Sequence, residues 1–520
     1  MLPNVSRHVS RQKHHIEQFY GLDHNPMVRT GAFWDMENLT GEFFPLLSPR
    51  RGRRLVRTFT RPNGLFVKDK LCWVDGTDFY YDGVKKGTVT DSSKRFGRLG
   101  TYLLIWPDKV CYNTAADEFK PLEATWTGSA AIGKYTYDAE GEGAEAVYQG
   151  NAITTTGTAF PFEAGEAIFL SGSGTGSNNR SAVIREIQNS GKTLVFSNNT
   201  FSEEAARTLT IQRKIPDLDF FCEVDNRLWG CVGNEIFASA LGNPFRWNNY
   251  EGLATDSYAV SVGSDGSFTG ATAYLGYPIF FKEDAIHKMY GTMPSNFQSM
   301  SSAELGVLTG CNASIANAGE TLFYLSRTGV VSYTGGIPSP VSAPFGAWHF
   351  EEAVGGSDGR RYCVSMRQGE AWTLFVYDTM SGMWHKEDNT HALAFARMGG
   401  TLYMLDGRDN GLYQLNGAGC EDVEWMAETG DFMDNGSDKT GLTRLQLRFE
   451  ADADSTFLVE IQYDSDGVWH PVRHIEGGRK QSMTLPILPR RCDHYRLRLS
   501  GRGDCKVYSI TRESYRGSER

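Results

Sequence analysis

Ser190-Gly191-Lys192-Thr193 has the ending of a phosphate loop, in which backbone N–H groups and a lysine would cradle a nucleotide's phosphates. The first glycine of such a loop would fall at position 186, where the chain carries Glu186, a carboxylate that repels phosphate, so the segment reads as a turn. Gly172, Gly174 and Gly176 begin a dinucleotide-type pattern, but its last glycine is replaced by Ser177. Asp464-Ser465-Asp466-Gly467 opens like a calcium loop without the third ligand or the spaced terminal glutamate, and reads as a hairpin turn. His8, His14, His15 and His24 sit in a polar arm with no helical scaffold to fix them around a metal. Arg502-Gly503-Asp504 reads as a tight turn between strands. No segment reads as a GxSxG nucleophile elbow between a strand and a helix, and no HExxH motif is found. The expectation is a chain with no catalytic residues, no metal and no cofactor.

The concentrated chemistry lies in the first sixty residues. Gly31-Ala32-Phe33-Trp34-Asp35-Met36-Glu37-Asn38-Leu39-Thr40 is followed by Ser48-Pro49-Arg50-Arg51-Gly52-Arg53-Arg54, rich in aromatics, Pro and Gly without a clean period. Such a stretch reads as an extended arm, residues 1–61, pinned by Phe33, Trp34, Phe43 and Phe44 against the blades of the propeller that the rest of the chain predicts. Arg50, Arg51, Arg53 and Arg54 would remain to pair with carboxylates or phosphate. Phe33, Trp34, Arg50, Arg51, Arg53 and Arg54 are therefore the expected partner-binding residues.

The charge is uneven in the same sense. Residues 1–61 hold ten Lys/Arg against five Asp/Glu, so this head is near +5 and the rest of the chain near −15 of the total −10. An acidic body argues against a conventional nucleic-acid binder, and a basic arm suits docking on another acidic surface. Nine cysteines, an odd number without CxxC pairs, read as reduced thiols buried as small apolar residues. Met1–His15 lacks the apolar segment of a signal peptide, and no run approaches the ~20 apolar residues of a membrane span, so folding in a cytoplasm is expected.

The elements that would position this chemistry are strands. Gly 57, Tyr 23, Phe 30 and Trp 11 in 520 residues, with Gly, Asn, Asp and Ser punctuating short apolar runs, point to an all-β chain of several units. A hairpin texture recurs from Asp69, Gly100, Asp225, Gly276, Gly319, Ala371 and Gly399. Copies lie roughly 30–50 residues apart once one interruption is set aside, leaving room for two more strands in each. This predicts a β-propeller of about seven blades in two parts, 62–124 and 216–418; a series of β-sandwiches is the alternative. The interruption, 125–215, reads as a small inserted β-domain, since a flexible linker would lack Ile184, Ile187, Leu194, Val195 and Phe196. Residues 419–520 alternate over longer runs, as in Leu445, Leu447 and Phe449 against Arg444, Gln446 and Arg448, and read as a terminal β-sandwich.

The arm, with its "MENLT" stretch at 36–40 and "SPRRGR" stretch at 48–53, resembles the N-termini of tail-nozzle and head-closure propeller proteins of tailed bacteriophages, also called DNA-stabilisation proteins. The resemblance covers about sixty residues specifically and the blade texture more loosely. It implies a structural virion protein, a tail adaptor, hub or nozzle subunit in a homo-oligomeric, sixfold ring. Such a ring would contact the portal, adaptor and other tail proteins and let genomic DNA pass during ejection. Two alternatives stand beside it: a carbohydrate-binding or glycan-degrading receptor-binding propeller of the tail, and a cytoplasmic scaffold.

Overall fold

The computed structural model describes residues 11–138, 147–197, 200–415, 422–433 and 439–516. The chain is all-β: among the described residues its regular elements are strands and four one-turn 3₁₀ segments. No helix among them is long and apolar enough to cross a membrane. His8 and Cys420 lie outside the described residues.

Seven four-stranded antiparallel sheets dominate, at 62–88, 95–121, 220–261, 270–302, 316–340, 352–386 and 392–414, the last completed by Arg54–Thr58 from the arm. The hairpins close where turn chemistry allows it. Asp225 and Asn226, with φ of 51° and 56°, join Phe220–Val224 to Arg227–Val232 in the left-handed pair that matches strand twist. The chain divides into two compact units, one of residues 1–67 with 313–520 and one of residues 68–312.

In the 68–312 unit the second and third sheets pack directly on each other. Leu99, Leu104 and Trp106 share a core with Leu218, Leu228 and Trp247. Between them in sequence, Ala124–Arg213 contributes six strands that close into a barrel and, among the described residues, pair with no strand outside it. Its interior is filled by Trp126, Ile153, Phe160, Ile184, Leu194, Phe196, Leu209 and Ile211. Gly191 of the sequence's candidate phosphate loop serves a turn here, with φ of 85°.

In the other unit, residues expected as a β-sandwich belong to one eight-stranded, continuously hydrogen-bonded sheet. Its spine is Thr440–Tyr463, whose first half pairs with Cys505–Arg516 and second half with Tyr495–Arg502. Register breaks between Ala451 and Thr456 let the strand bend, and Phe449 meets Phe457 edge-on at 5.0 Å across the bend. Arm strands form both ends of the pairing order: Arg11–Ile16 on Cys505–Arg516, and Phe33–Glu37 on Glu424–Thr429. The arm is thus built largely into the C-terminal sheet, where the sequence suggested the blades as its seat. The reason is backbone pairing: its strands supply main-chain hydrogen bonds that aromatic anchoring alone would not reveal.

The eight described cysteines form no disulfide, and all but Cys222 are buried. Burial pushes the thiols of Cys72 and Cys363 up to about 12, so they are inert at neutral pH.

Candidate functional site

Asn38 adopts φ of 57°, a left-handed conformation that Asn tolerates better than most residues. It separates Phe33–Glu37 from the short pair of Leu39–Thr40 with Ser48–Pro49. Its backbone N–H donates to the carbonyls of Lys386 (3.1 Å) and Glu387 (3.0 Å), and its Nδ2 to the Glu424 carbonyl at 2.8 Å. Arg50 returns to it twice, through the backbone N–H to the Asn38 carbonyl (2.8 Å) and through Nε to Oδ1 (2.9 Å). One asparagine therefore ties together both motif stretches of the arm, the 352–386 sheet and the C-terminal sheet.

Arg50 and Arg53 converge on two acids just beyond that sheet. Arg53 places Nη2 2.6 Å from Glu387 Oε2 and Nη1 3.1 Å from Asp388 Oδ2, and Nη1 donates to Thr390 Oγ1 at 2.7 Å. Arg50 places Nε 3.1 Å from Glu387 Oε2 and Nη2 3.3 Å from Asp388 Oδ2. The two arginine side chains are only 7% and 8% exposed. Burial opposes the charge on Arg53, but Glu387 and Asp388 outweigh it and hold the guanidinium above its usual pKa. For Arg50 burial prevails and the pKa falls. Burial would raise Asp388, yet Arg53, the Thr390 hydroxyl and Arg50 together hold it below the usual carboxylate range. This is a charge-neutral buried quartet whose members leave one another few spare hydrogen-bonding positions.

A cavity of about 410 Å³ opens beside the quartet. Its charged lining includes Glu42 and Arg51 from the arm, and Asp358, Arg360, Arg361 and Asp378 from the 352–386 sheet. Arg360 pairs with Asp378 at 2.6 Å and Arg361 with Asp358 at 2.8 Å. Burial opposes ionisation of Asp358, but the backbone N–H and guanidinium of Arg361 prevail and keep its pKa low. Buried His385 lies against Gly41 so closely that a Cβ there would sit 3.0 Å from its Cε1. Burial pushes the His385 pKa down to about 4.

The six residues expected to bind a partner are dispersed. Phe33 is 1% exposed and packs in the C-terminal sheet's core, its ring stacked at 6.3 Å on Phe19. Trp34 is half-buried, stacked on His24 at 3.9 Å, and His24 in turn contacts Trp348 at 4.2 Å. Arg50 and Arg53 are consumed within the chain. Arg51, at the cavity, and Arg54, on the outer strand of the last sheet, are exposed. Sequence reasoning missed Asn38, Glu387 and Asp388. The acids follow Trp384 at the end of a repeat, and nothing in their spacing marks them as the arm's counter-charge. Among the described residues no group of three His, Cys, Asp or Glu could hold a metal; His15 instead meets the Thr511 hydroxyl at 2.9 Å.

No family model and no curated protein matches the chain. Solved structures with some similarity include a protein described as exported from Bacteroides fragilis (TM-score 0.25, 10% identity, 55% of this chain and 94% of that one). The endosialidase of phage phi92 gives a TM-score of 0.25 at 9% identity over 90% of this chain and 82% of that one. A glycoside hydrolase gives 0.18 at 10% identity over 80% and 96%. These scores lie well below those of a shared fold.

Proposed function

We propose that the chain is a non-catalytic structural subunit of a tailed-phage virion, a tail adaptor, hub or nozzle component. The observation that carries this reading is the use made of the two stretches on which the family resemblance rests. Asn38 and Arg50 bond to each other, and Arg50 and Arg53 spend their charge on Glu387 and Asp388, so these residues of the two stretches fasten the arm. A buried, charge-balanced fastening suits a part that must stay assembled under load.

In this reading the seven four-stranded sheets are the blades of one propeller, and Arg54–Thr58 completes the last blade by pairing with Gly411–Gln414. Subunits form a ring, sixfold by the resemblance, that contacts portal and adaptor proteins in the virion tail while the genome passes. Size measurement of the purified chain, alone and mixed with tailed-phage portal-complex components, tests the proposal. A stable ring or a portal-bound complex is expected. A monomer in both conditions would overturn it.

A further inference from the structure

The barrel carries a second concave site, remote in sequence from the arm. On Ala167–Ser171, Ile168 and Leu170 face the barrel core, while Phe169 between them is 36% exposed. Its cross-strand neighbours are Ser181 on one side and Gln212 on the other. An aromatic ring, a hydroxyl and an amide thus form one row across three adjacent strands. Lys214 borders the row, with Nζ 5.8 Å from the Phe169 ring centroid.

Asn248 completes the lining from a loop outside the barrel, and that loop is tied down. Arg246 donates to the Ala164 carbonyl, and Asn249 Nδ2 to the Gly165 carbonyl at 3.2 Å. The Tyr250 hydroxyl donates to Asn248 Oδ1 at 3.3 Å, which leaves the Asn248 amide hydrogens to serve the cleft. Gln212 Nε2 reaches Thr125 Oγ1 only at 3.5 Å, and its Oε1 accepts no hydrogen bond from a described residue. The cleft is open to solvent and has a volume of about 170 Å³.

We propose that this cleft binds one ring of an acidic polysaccharide. The C–H face of a pyranose would lie on Phe169, where the ring's negative face attracts it. Its hydroxyls would meet Ser181, Gln212 and Asn248, and a carboxylate would meet Lys214. An apolar ligand would leave the two amides unpaired, which costs affinity. Single-stranded nucleic acid needs a basic groove tracking its backbone, and the lining supplies one lysine. The volume is below the ~300 Å³ of small-molecule pockets, so a single sugar of a longer chain is the fitting occupant. The inference does not depend on the ring proposal, since the barrel could bind glycan whether or not the chain assembles.

The test uses the full chain in calorimetric titrations with polygalacturonate, polysialic acid and dextran. Binding to at least one acidic polymer is expected, weakened tenfold or more by Phe169→Ala and retained by Phe169→Trp. Gln212→Ala gives the same reading should Phe169→Ala fail to fold. Lys214→Gln should weaken acidic binding at least threefold and flatten its salt dependence. Binding of none of the three polymers, or affinities that Phe169→Ala and Gln212→Ala leave within twofold, would overturn the site. Dextran binding equal to that of the acidic polymers would overturn the acidic assignment.

Discussion

Arg53 holds two acids at once, so its removal leaves Glu387 and Asp388 to the longer contacts of Arg50 in a largely buried site. Truncating one side of a buried pair costs about 3–5 kcal/mol. Arg53→Ala should therefore lower the urea midpoint sharply, whereas Arg51→Ala, at an exposed neighbour, should stay within about 0.5 kcal/mol. Equal effects would show that the quartet does not hold the arm. His385 gives a pH signature. The unfolded chain takes up its proton near 6.5, but burial keeps the folded group neutral until about 4. Unfolding therefore binds a proton in this window, and about 3 kcal/mol is lost as pH falls from about 6.5 to about 4. Asp388 and Asp358, depressed in the fold, contribute stability that disappears only at more acid pH, as pH falls through their folded pKa values. In thermal melts against pH, His385→Gln should shrink the upper decline, to which His287 and His391, also held low by burial, contribute, and leave the lower one. At this scale the sequence flags the arginine cluster but not its destination, because Glu387 and Asp388 lie more than 330 residues away.

Among the elements, the arm is the one whose behaviour the structure redefines. An extended segment with little periodic apolar surface reads as dependent on contacts outside itself, with the chain's own propeller or a neighbouring copy, and open to proteolysis in the free protein. The contacts lie within the same chain: Phe33–Glu37 pairs with Glu424–Thr429, and Arg54–Thr58 with Gly411–Gln414. Amide hydrogen exchange on the free protein should therefore show both segments protected as well as the strands they join. Fast exchange there, with slow exchange in the partner strands, would contradict the pairing. The repeat was legible because each hairpin has its own turn and apolar run. Six of the seven recognised hairpins are the second and third strands of their sheets. The one at Ala371–Asp378 and Met383–Lys386 supplies the third and fourth, since Glu352–Ser357 and Arg361–Gln368 precede it. The long alternating strands at the C-terminus were equally visible. What alternation cannot report is pairing across the chain, so neither the bend in Thr440–Tyr463 nor the arm's place in that sheet could be read from it.

For the whole molecule the governing quantity is charge. Duplex DNA carries one negative charge per ~1.7 Å, and a Lys/Arg-lined channel would grip it through counterion release. Two of the arm's arginines are neutralised by Glu387 and Asp388, so the basic head contributes less free positive charge than its composition suggests. If the subunits form a channel, its lumen should be net negative, and the purified chain should bind duplex DNA weakly even at low salt. Tight binding with a steep salt slope would make a DNA-gripping plug the better account. The most direct test of the proposed structural role is electron cryomicroscopy of particles produced from the genome that encodes this chain. The account predicts its density as a closed ring on the tail axis, with the arm strands seated in their own subunit's C-terminal sheet. Density confined to a peripheral fibre, or absent from the particle, would contradict it.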